Sequence, residues 1–140
     1  MSGLTIDVSA GGPSGLSSEL EAILVQHSAV RGHPFVYDTL ELRATDDGVF
    51  LGGLYGYSIQ GRFSLEELAV VEHARGKGVG RALMARLEEV VRTSGIGCIY
   101  LGTWDFQAPG FYRELGYREF GRLPEVSGRP GKTWFSKEIG

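Results

Sequence analysis

The spacing of apolar and polar residues divides the chain into short segments with two different periods. Apolar residues that recur every three or four positions predict an amphipathic helix, whereas alternating apolar and polar residues predict a half-buried strand. The first helical spacing is found at five positions: Leu16, Leu20, Ile23, Leu24 and His27. Ser18 and Glu21 offer a capping box near the start of this helix, and Gly32 and Pro34 end it.

The strand pattern predicts a weak first strand and then three strands that form an antiparallel meander. Residues 4–8 alternate weakly and precede a glycine-rich break. The meander consists of three segments: residues 35–44, 49–59 and 63–71. Asp46-Asp47-Gly48 and Gln60-Gly61-Arg62 are the turn signals between them. The glycines inside the middle segment predict a bulge or a close backbone approach.

The second half of the chain alternates between helices and strands. A helix begins at Gly80 and ends near Gly95, which is well placed as its C-cap. Residues 98–104 form an apolar strand, which we expect to be buried on both faces and parallel to the strand before the helix. The last predicted elements are a short helix and two strands: residues 107–115, 117–122 and 133–139. No linker or repeat is visible, so we predict one α/β domain over residues 1–140.

The most informative stretch is the turn between the strand that ends at Val71 and the helix that follows it. Glycines occupy every second position here, at residues 76, 78 and 80, and three cations accompany them: Arg75, Lys77 and Arg81. The first turn of a helix carries backbone N–H groups without intrahelical partners, and its dipole makes that end positive. Glycines let such a backbone approach a ligand closely. The turn therefore predicts a polyphosphate-binding site.

The spacing of this turn excludes two common nucleotide motifs. No Ser or Thr follows Lys77, as a P-loop requires, and Arg81 stands where a dinucleotide fingerprint requires its third glycine. What remains is Arg75-x-x-Gly78-x-Gly80. This pattern resembles the acetyl-CoA loop of the GNAT family of N-acetyltransferases, Arg/Gln-x-x-Gly-x-Gly/Ala.

A second segment supports the resemblance. Residues 105–117 read Asp-Phe-Gln-Ala-Pro-Gly-Phe-Tyr-Arg-Glu-Leu-Gly-Tyr, which is similar to the family pattern Asn-x-x-Ala-x-x-Phe-Tyr-x-x-x-Gly-Phe/Tyr. The resemblance implies the family fold, a central mixed and mostly antiparallel sheet with splayed middle strands and flanking helices. Asp105 stands where the family often has Asn, and we do not expect it to bind the pantetheine arm, because a carboxylate lacks the amide donor.

The resemblance also implies where acetyl-CoA would bind. The thioester would lie between the strands of residues 63–71 and 98–104, with a backbone N–H near Val70 facing the acetyl carbonyl. The diphosphate would meet the backbone of the glycine turn. The residues expected to bind coenzyme A are Leu68, Val70, Arg75, Gly76, Lys77, Gly78, Val79, Gly80 and Arg81.

Acetyl transfer to an amine requires a proton acceptor for the amine and a proton donor for the departing thiolate. Tyr112 falls on the position where the family commonly carries its general-acid tyrosine, and a phenol stays protonated at neutral pH. Glu66 is the favoured base, acting directly or through water. Glu67 is its alternative, since neighbouring strand residues point to opposite faces. His73 lies in the cofactor loop, where we expect a surface role.

Composition indicates which partners and which cellular compartment to expect. A net charge of −3 without a basic block outside the glycine turn gives no indication of a nucleic-acid partner. No apolar run could span a membrane, and the N-terminus lacks the pattern of a signal peptide. A single cysteine, Cys98, excludes an internal disulfide, which favours a cytoplasmic protein, and its apolar surroundings favour a buried packing role. His27 and His33 are expected in packing or surface roles, and no metal site is predicted.

The predicted activity is acetyl-CoA-dependent N-acetylation of a primary amine by direct attack in a ternary complex. The acceptor is either a small molecule or a protein, and the acids Asp38, Glu41 and Glu66 point weakly to a cationic one. The alternative is a non-catalytic acyl-CoA-binding regulatory domain. A third hypothesis is that a protein of the same fold transfers a different acyl chain or acylates an oxygen acceptor. A homodimer is common among such proteins, and the sequence leaves the oligomeric state open.

Overall fold

The computed structural model describes residues 3–12 and 14–140, which divide into two compact units, Met1–Phe35 and Val36–Gly140. The first unit contains helix α1 (Leu16–Val30). The strand predicted for residues 4–8 is wrong, because these residues are exposed and pair with no neighbouring strand. The predicted capping box is also wrong: the helix begins after Gly15, whose left-handed φ of 82° suits glycine, and no side chain caps it.

The second unit is a six-stranded sheet with two helices. Its sheet order is β1-β2-β3-β4-β6-β5. In chain order, its elements are β1 (Asp38–Asp46), β2 (Val49–Ile59), β3 (Arg62–Val70), α2 (Val79–Thr93), β4 (Cys98–Trp104), α3 (Pro109–Glu114), β5 (Arg118–Leu123) and β6 (Lys132–Glu138). The predicted order of elements from residue 35 onward is therefore confirmed, with shifts of a few residues at some ends.

Two tight turns build the meander of β1, β2 and β3. Asp47 and Gly48 have φ values of 49° and 79°, and Gln60 and Gly61 have φ values of 51° and 75°. Positive φ at both central residues is the signature of the type I′ turn, whose twist matches that of a hairpin. All pairings in the meander are antiparallel.

The centre of the sheet is where the strands separate. Strands β3 and β4 run parallel but pair only over Arg62–Ser64 and Cys98–Tyr100, whereas β4 pairs with β6 along its whole length. Beyond Ser64, β3 has no partner on its β4 side. The two strands thus diverge toward the C-terminal end of β3, where the chain enters the glycine turn, and the predicted splay is confirmed.

Helix α2 covers one face of the sheet and forms the core with it. Its buried residues, which include Met84 and Leu87, pack in one cluster with Phe63, Ile99 and Phe135. The helix ends in a Schellman motif, since Ile96 N–H donates to the Val91 carbonyl and Gly95 N–H donates to the Arg92 carbonyl. Gly95 has the required left-handed φ of 76°, so its predicted capping role is confirmed.

Strand β4 is buried on one face and only half-buried on the other. Ile99, Leu101 and Thr103 face the core, whereas Tyr100 and Cys98 alternate with them and are half-buried. The expectation of full burial on both faces is wrong, and Cys98 is only partly buried. The apolar run misled the prediction because Tyr and Cys fit a half-buried surface as well as a buried one.

Candidate active site

A cavity of about 850 Å³ occupies the gap between the diverging strands β3 and β4 and extends to the start of α2. Residues Leu65–Val70 line one wall, residues Leu101–Trp104 line the opposite wall, and α3 contributes Phe111 and Tyr112. The predicted site residues that line this cavity are Glu66, Leu68, Val70, Arg75, Gly76, Gly78, Val79, Gly80, Arg81 and Tyr112. Among the described residues, Lys77 is the one predicted site residue that does not line the cavity.

The glycine turn presents free backbone amides to the cavity. Gly76 and Gly78 have left-handed φ values of 74° and 85°, and Gly78 is the N-cap of α2. The first hydrogen bond of the helix joins the Ala82 N–H to the Gly78 carbonyl at 2.9 Å. The N–H groups of the first turn, from Val79 to Arg81, therefore lack intrahelical acceptors and remain available to an anion.

The space around the turn is open at two of its glycines. A Cβ atom placed on Gly76 or Gly78 would meet no other atom within 4 Å, so the backbone is open at both positions. Gly80 packs closely against α3, since a Cβ there would lie 3.4 Å from the Phe111 ring. Arg75 Nε donates to the Val70 carbonyl at 3.1 Å, which fixes this cation at the end of β3. Arg81 makes a weak surface contact of 3.4 Å with Glu114.

Tyr112 combines burial with an open hydroxyl. The residue is only 7% exposed, and burial raises the pKa of its phenol to about 12. The phenol makes no hydrogen bond within the described part of the chain. Since every fully buried side-chain N and O atom there has a partner, the Tyr112 hydroxyl oxygen retains some exposure, and the residue lines the cavity. Its edge-to-face contacts with Phe111 and Tyr117 fix the ring, at centroid distances of 5.1 and 5.9 Å.

Glu66 is the extra residue of a β-bulge. Tyr55 pairs with Glu67 and Gly56 pairs with Leu65, so Glu66 has no partner on β2. The bulge interrupts the alternation of β3, and both glutamates are exposed and line the cavity. The prediction that Glu66 and Glu67 point to opposite faces is therefore wrong, because a bulge shifts the pattern by one residue.

Two residues with hydroxyl groups, Ser64 and Tyr57, lie beside the carboxylate of Glu66. Ser64 Oγ donates to Glu66 Oε1 at 3.4 Å. A hydrogen bond to Glu66 is also the main cause that raises the pKa of Tyr57, with burial second. No Lys or Arg of the described residues forms an ion pair with Glu66, so the side chains around this carboxylate are neutral donors.

Asp105 bonds to the protein framework. Its two oxygens accept from Arg122 Nη1 and Nη2 at 2.8 and 2.9 Å, and Oδ2 also accepts from the Gly131 N–H at 3.0 Å. These bonds, the one from Arg122 first, lower the pKa of Asp105. The carboxylate thus ties the end of β4 to β5 and to the loop before β6.

The sequence did not identify Lys132, one of three described cations that line the cavity. Lys132 lines it, and its Nζ lies 5.0 Å from the ring centroid of Trp104 and 4.4 Å from that of Trp134. Gly102 makes room for this arrangement, because a Cβ there would lie 2.5 Å from Lys132 Cε. No local motif marks Lys132, since its partners belong to β4 and β6.

Across residues 3–12 and 14–140, no group of three His, Cys, Asp or Glu side chains is arranged to hold a metal ion. In the same ranges, no helix is both long and apolar enough to cross a membrane.

Sequence comparison shows which known proteins this chain is similar to. The sequence model of the acetyltransferase (GNAT) family matches residues 12–117. The chain is 41% identical over 100 residues to the blasticidin-S acetyltransferase of Streptomyces morookaense, a match that covers 67% of this chain and 71% of that protein.

Two solved structures extend the comparison to the fold. An acetyltransferase of Bacillus cereus superposes with a TM-score of 0.83 at 23% identity, covering 95% of this chain and 98% of that one. A nourseothricin acetyltransferase superposes with a TM-score of 0.64 at 26% identity, covering 74% and 66% of the two chains. The first likeness shows the fold, and the family match spans the strand, the glycine turn and the tyrosine helix described above. The chain belongs to the GNAT acetyltransferase family.

Proposed function

We propose that this protein transfers an acetyl group from acetyl-CoA to the primary amine of a small molecule, by direct attack in a ternary complex. One observation carries the proposal. A single cavity is lined by the open start of α2, by Tyr112 and by Glu66. These are an anion site, a proton donor and a proton acceptor, which are the three functions that the reaction requires.

The donor would be held mainly by backbone. The amides of Gly78, Val79 and Gly80 would bind the diphosphate, and Arg75 would add positive charge beside it. The unpaired edge of β3 from Leu65 to Val70 would hold the pantetheine arm, since this edge has no strand partner on the β4 side. Bound acetyl-CoA would supply the acetyl group as an activated thioester.

Two side chains would move the protons. A phenol whose pKa is raised to about 12 stays protonated at neutral pH, so Tyr112 would donate a proton to the thiolate that leaves. It would regain a proton from the attacking nitrogen, which loses its second proton as the amide forms. Glu66, held by Ser64 and Tyr57, would accept a proton from the incoming ammonium, directly or through water, and leave a neutral amine for the attack. Glu67 is the alternative for this role.

A small-molecule acceptor is supported by the relatives. The names of two similar proteins state blasticidin-S and nourseothricin acetyltransferase activities. The cavity walls also carry unpaired carboxylates, Glu66 and Glu67, that suit a cationic amine. We therefore favour a small cationic amine over a protein N-terminus.

Thiol release from acetyl-CoA across a panel of small amines tests this proposal. We expect release that depends on both the amine and the enzyme, together with an acetylated product of the matching mass. The rival proposal is a non-catalytic acyl-CoA-binding domain. A protein that bound acetyl-CoA but released no thiol with any amine would favour that rival.

A further inference from the structure

Gln107 follows β4 closely and occupies both main-chain groups of its last residue. The Trp104 N–H donates to Gln107 Oε1 at 2.8 Å, and the Gln107 N–H donates to the Trp104 carbonyl at 2.9 Å. Successive strand residues direct their main-chain groups to opposite edges, and the next residue, Asp105, donates its N–H to the Gly131 carbonyl on the β6 side. Gln107 therefore lies at the edge of β4 that faces the gap with β3.

The side-chain amide of Gln107 is oriented by these bonds. A main-chain N–H only donates, so the side-chain atom that meets the Trp104 N–H must be the carbonyl oxygen. The Thr103 hydroxyl donates to the same oxygen at 3.3 Å. The amide nitrogen Nε2 makes no hydrogen bond within the described part of the chain, and the residue is exposed and lines the cavity. Both N–H groups of Nε2 are therefore available to a ligand.

The neighbouring Asp105 offers no such donor. It stands where the family pattern has an asparagine, and its carboxylate carries no N–H. Both of its oxygens are already engaged, by the guanidinium of Arg122 and by the Gly131 N–H. An amide donor is thus missing at residue 105 and present at residue 107, on the cavity side of the same strand end.

We propose that Gln107 binds the pantetheine arm of coenzyme A, through a hydrogen bond from Nε2 to a carbonyl oxygen of the arm. The inference rests on the proposed use of acetyl-CoA, and it names a residue at a position that the family pattern leaves open. The arm contains amide groups, and the unpaired edge of β3 is available to bond to one side of it. Gln107 supplies a neutral donor from the opposite wall, so the arm is held from both sides.

Two substitutions separate the donor role of Gln107 from its bond to the Trp104 N–H. Gln107→Glu keeps an oxygen for that N–H and removes the donor, whereas Gln107→Ala removes both. Calorimetry measures the affinity for coenzyme A and for ADP, which has the adenosine and the diphosphate but lacks the pantetheine arm. We expect each variant to lose about fivefold in coenzyme A affinity relative to ADP, the effect of one neutral hydrogen bond. Expressing the loss relative to ADP corrects for the negative charge that glutamate adds.

The matched control is Gln60→Glu, which makes the same change at the exposed turn between β2 and β3, at a described residue that does not line the cavity. Its ratio of coenzyme A affinity to ADP affinity should equal that of the wild-type protein. A wild-type ratio in either Gln107 variant would overturn the inference and leave Gln107 only its bonds to the end of β4. Absence of coenzyme A binding to the wild-type protein would instead refute the proposed function, and this inference with it.

Discussion

Tyr112 shows how one residue can be structural and chemical at the same time. Its ring packs against Phe111, Tyr117 and Phe135, which explains why it is 7% exposed. The same burial stabilises the neutral phenol, because a buried phenolate would lose its hydration. The residue is thus held rigidly in its acidic form at the wall of the cavity.

The substitution Tyr112→Phe separates these two roles. It keeps the ring and removes the hydroxyl, so coenzyme A affinity should change less than threefold, whereas kcat should fall by about 100-fold or more. Calorimetry and the thiol assay measure the two quantities. Tyr117→Phe is the control, because Tyr117 does not line the cavity and its hydroxyl instead donates to Glu88 at 3.1 Å. Retained kcat in Tyr112→Phe would exclude the general-acid role.

The raised pKa of Tyr112 also predicts how stability depends on pH. The folded pKa of about 12 lies above the ordinary value of 10.0, so the folded state holds this proton more tightly than the unfolded state. The stability from this group is fully present below pH 10 and is lost as pH rises toward 12. Urea unfolding at pH 9 and pH 11 should show a smaller loss for Tyr112→Phe than for the wild-type protein. An equal loss in both would contradict the assigned pKa.

The motif residues of the site could be predicted from the sequence, but the hydrogen-bond partners of the site's side chains could not. Tyr112 and the turn glycines stand in patterns whose spacing is visible in the sequence. The hydroxyls that hold Glu66 come partly from another strand, and the Arg122 that binds Asp105 lies 17 residues away. Such contacts depend on strand register and loop path, which no local pattern encodes.

At the scale of elements, two glycines with left-handed φ lie at opposite ends of α2 and have different roles. Gly78 begins the helix with φ 85° and Gly95 follows its end with φ 76°. A Cβ at either position would meet no atom within 4 Å, so substitution strains only the backbone. Gly78 adjoins the proposed diphosphate site, whereas Gly95 completes a C-terminal cap.

Alanine at each glycine should therefore give equal stability losses and unequal binding losses. Both Gly78→Ala and Gly95→Ala should lower the free energy of unfolding by about 1 kcal/mol, since a non-glycine residue in this conformation costs about that much. Only Gly78→Ala should also weaken coenzyme A binding, by about tenfold, because its methyl group would stand where the phosphates approach. Equal coenzyme A affinities in the two variants would argue against the diphosphate site.

Helices and strands were predictable wherever the apolar periodicity and the turn signals indicated the same boundaries. The bounds of β2 and β4 were predicted to the residue, because turn signals and apolar runs bracket both. The bulge or close backbone approach predicted from the glycines of β2 is confirmed, since the pairing with β3 shifts at Gly56 and a Cβ there would clash with the Ser64 carbonyl oxygen. That Glu66 of the partner strand is the inserted residue was not predicted, because an insertion there leaves no composition signal. The strand predicted for residues 4–8 failed because alternation over five residues does not supply a pairing partner.

At the scale of the whole sheet unit, one polar network joins α2 to β6 and to the end of α3. Lys137 Nζ donates to Glu88 Oε1 at 2.8 Å and to the Leu115 carbonyl at 2.9 Å, and the Tyr117 hydroxyl donates to Glu88 Oε2. The side chain of Glu88 is 14% exposed. Burial and the Glu88 charge both raise the pKa of Tyr117, so the network holds one carboxylate between a cation and a neutral phenol.

Two adjacent glutamates test the importance of that network. Glu88→Gln leaves the partly buried Lys137 without its counterion, which should cost about 1–3 kcal/mol of unfolding free energy. Glu89→Gln breaks only the exposed pair with Arg86 and should cost less than about 0.5 kcal/mol. Denaturant unfolding measures both values. Similar losses in the two variants would show that the network contributes little.

The central claim is that the backbone of the glycine turn binds the diphosphate of coenzyme A. Isothermal titration calorimetry with coenzyme A and with pantetheine, which lacks the diphosphate and the nucleotide, tests this most directly. Two or more charge-assisted hydrogen bonds from the turn should make coenzyme A bind about 100-fold more tightly than pantetheine. No heat with coenzyme A, or equal affinity for the two molecules, would contradict the account.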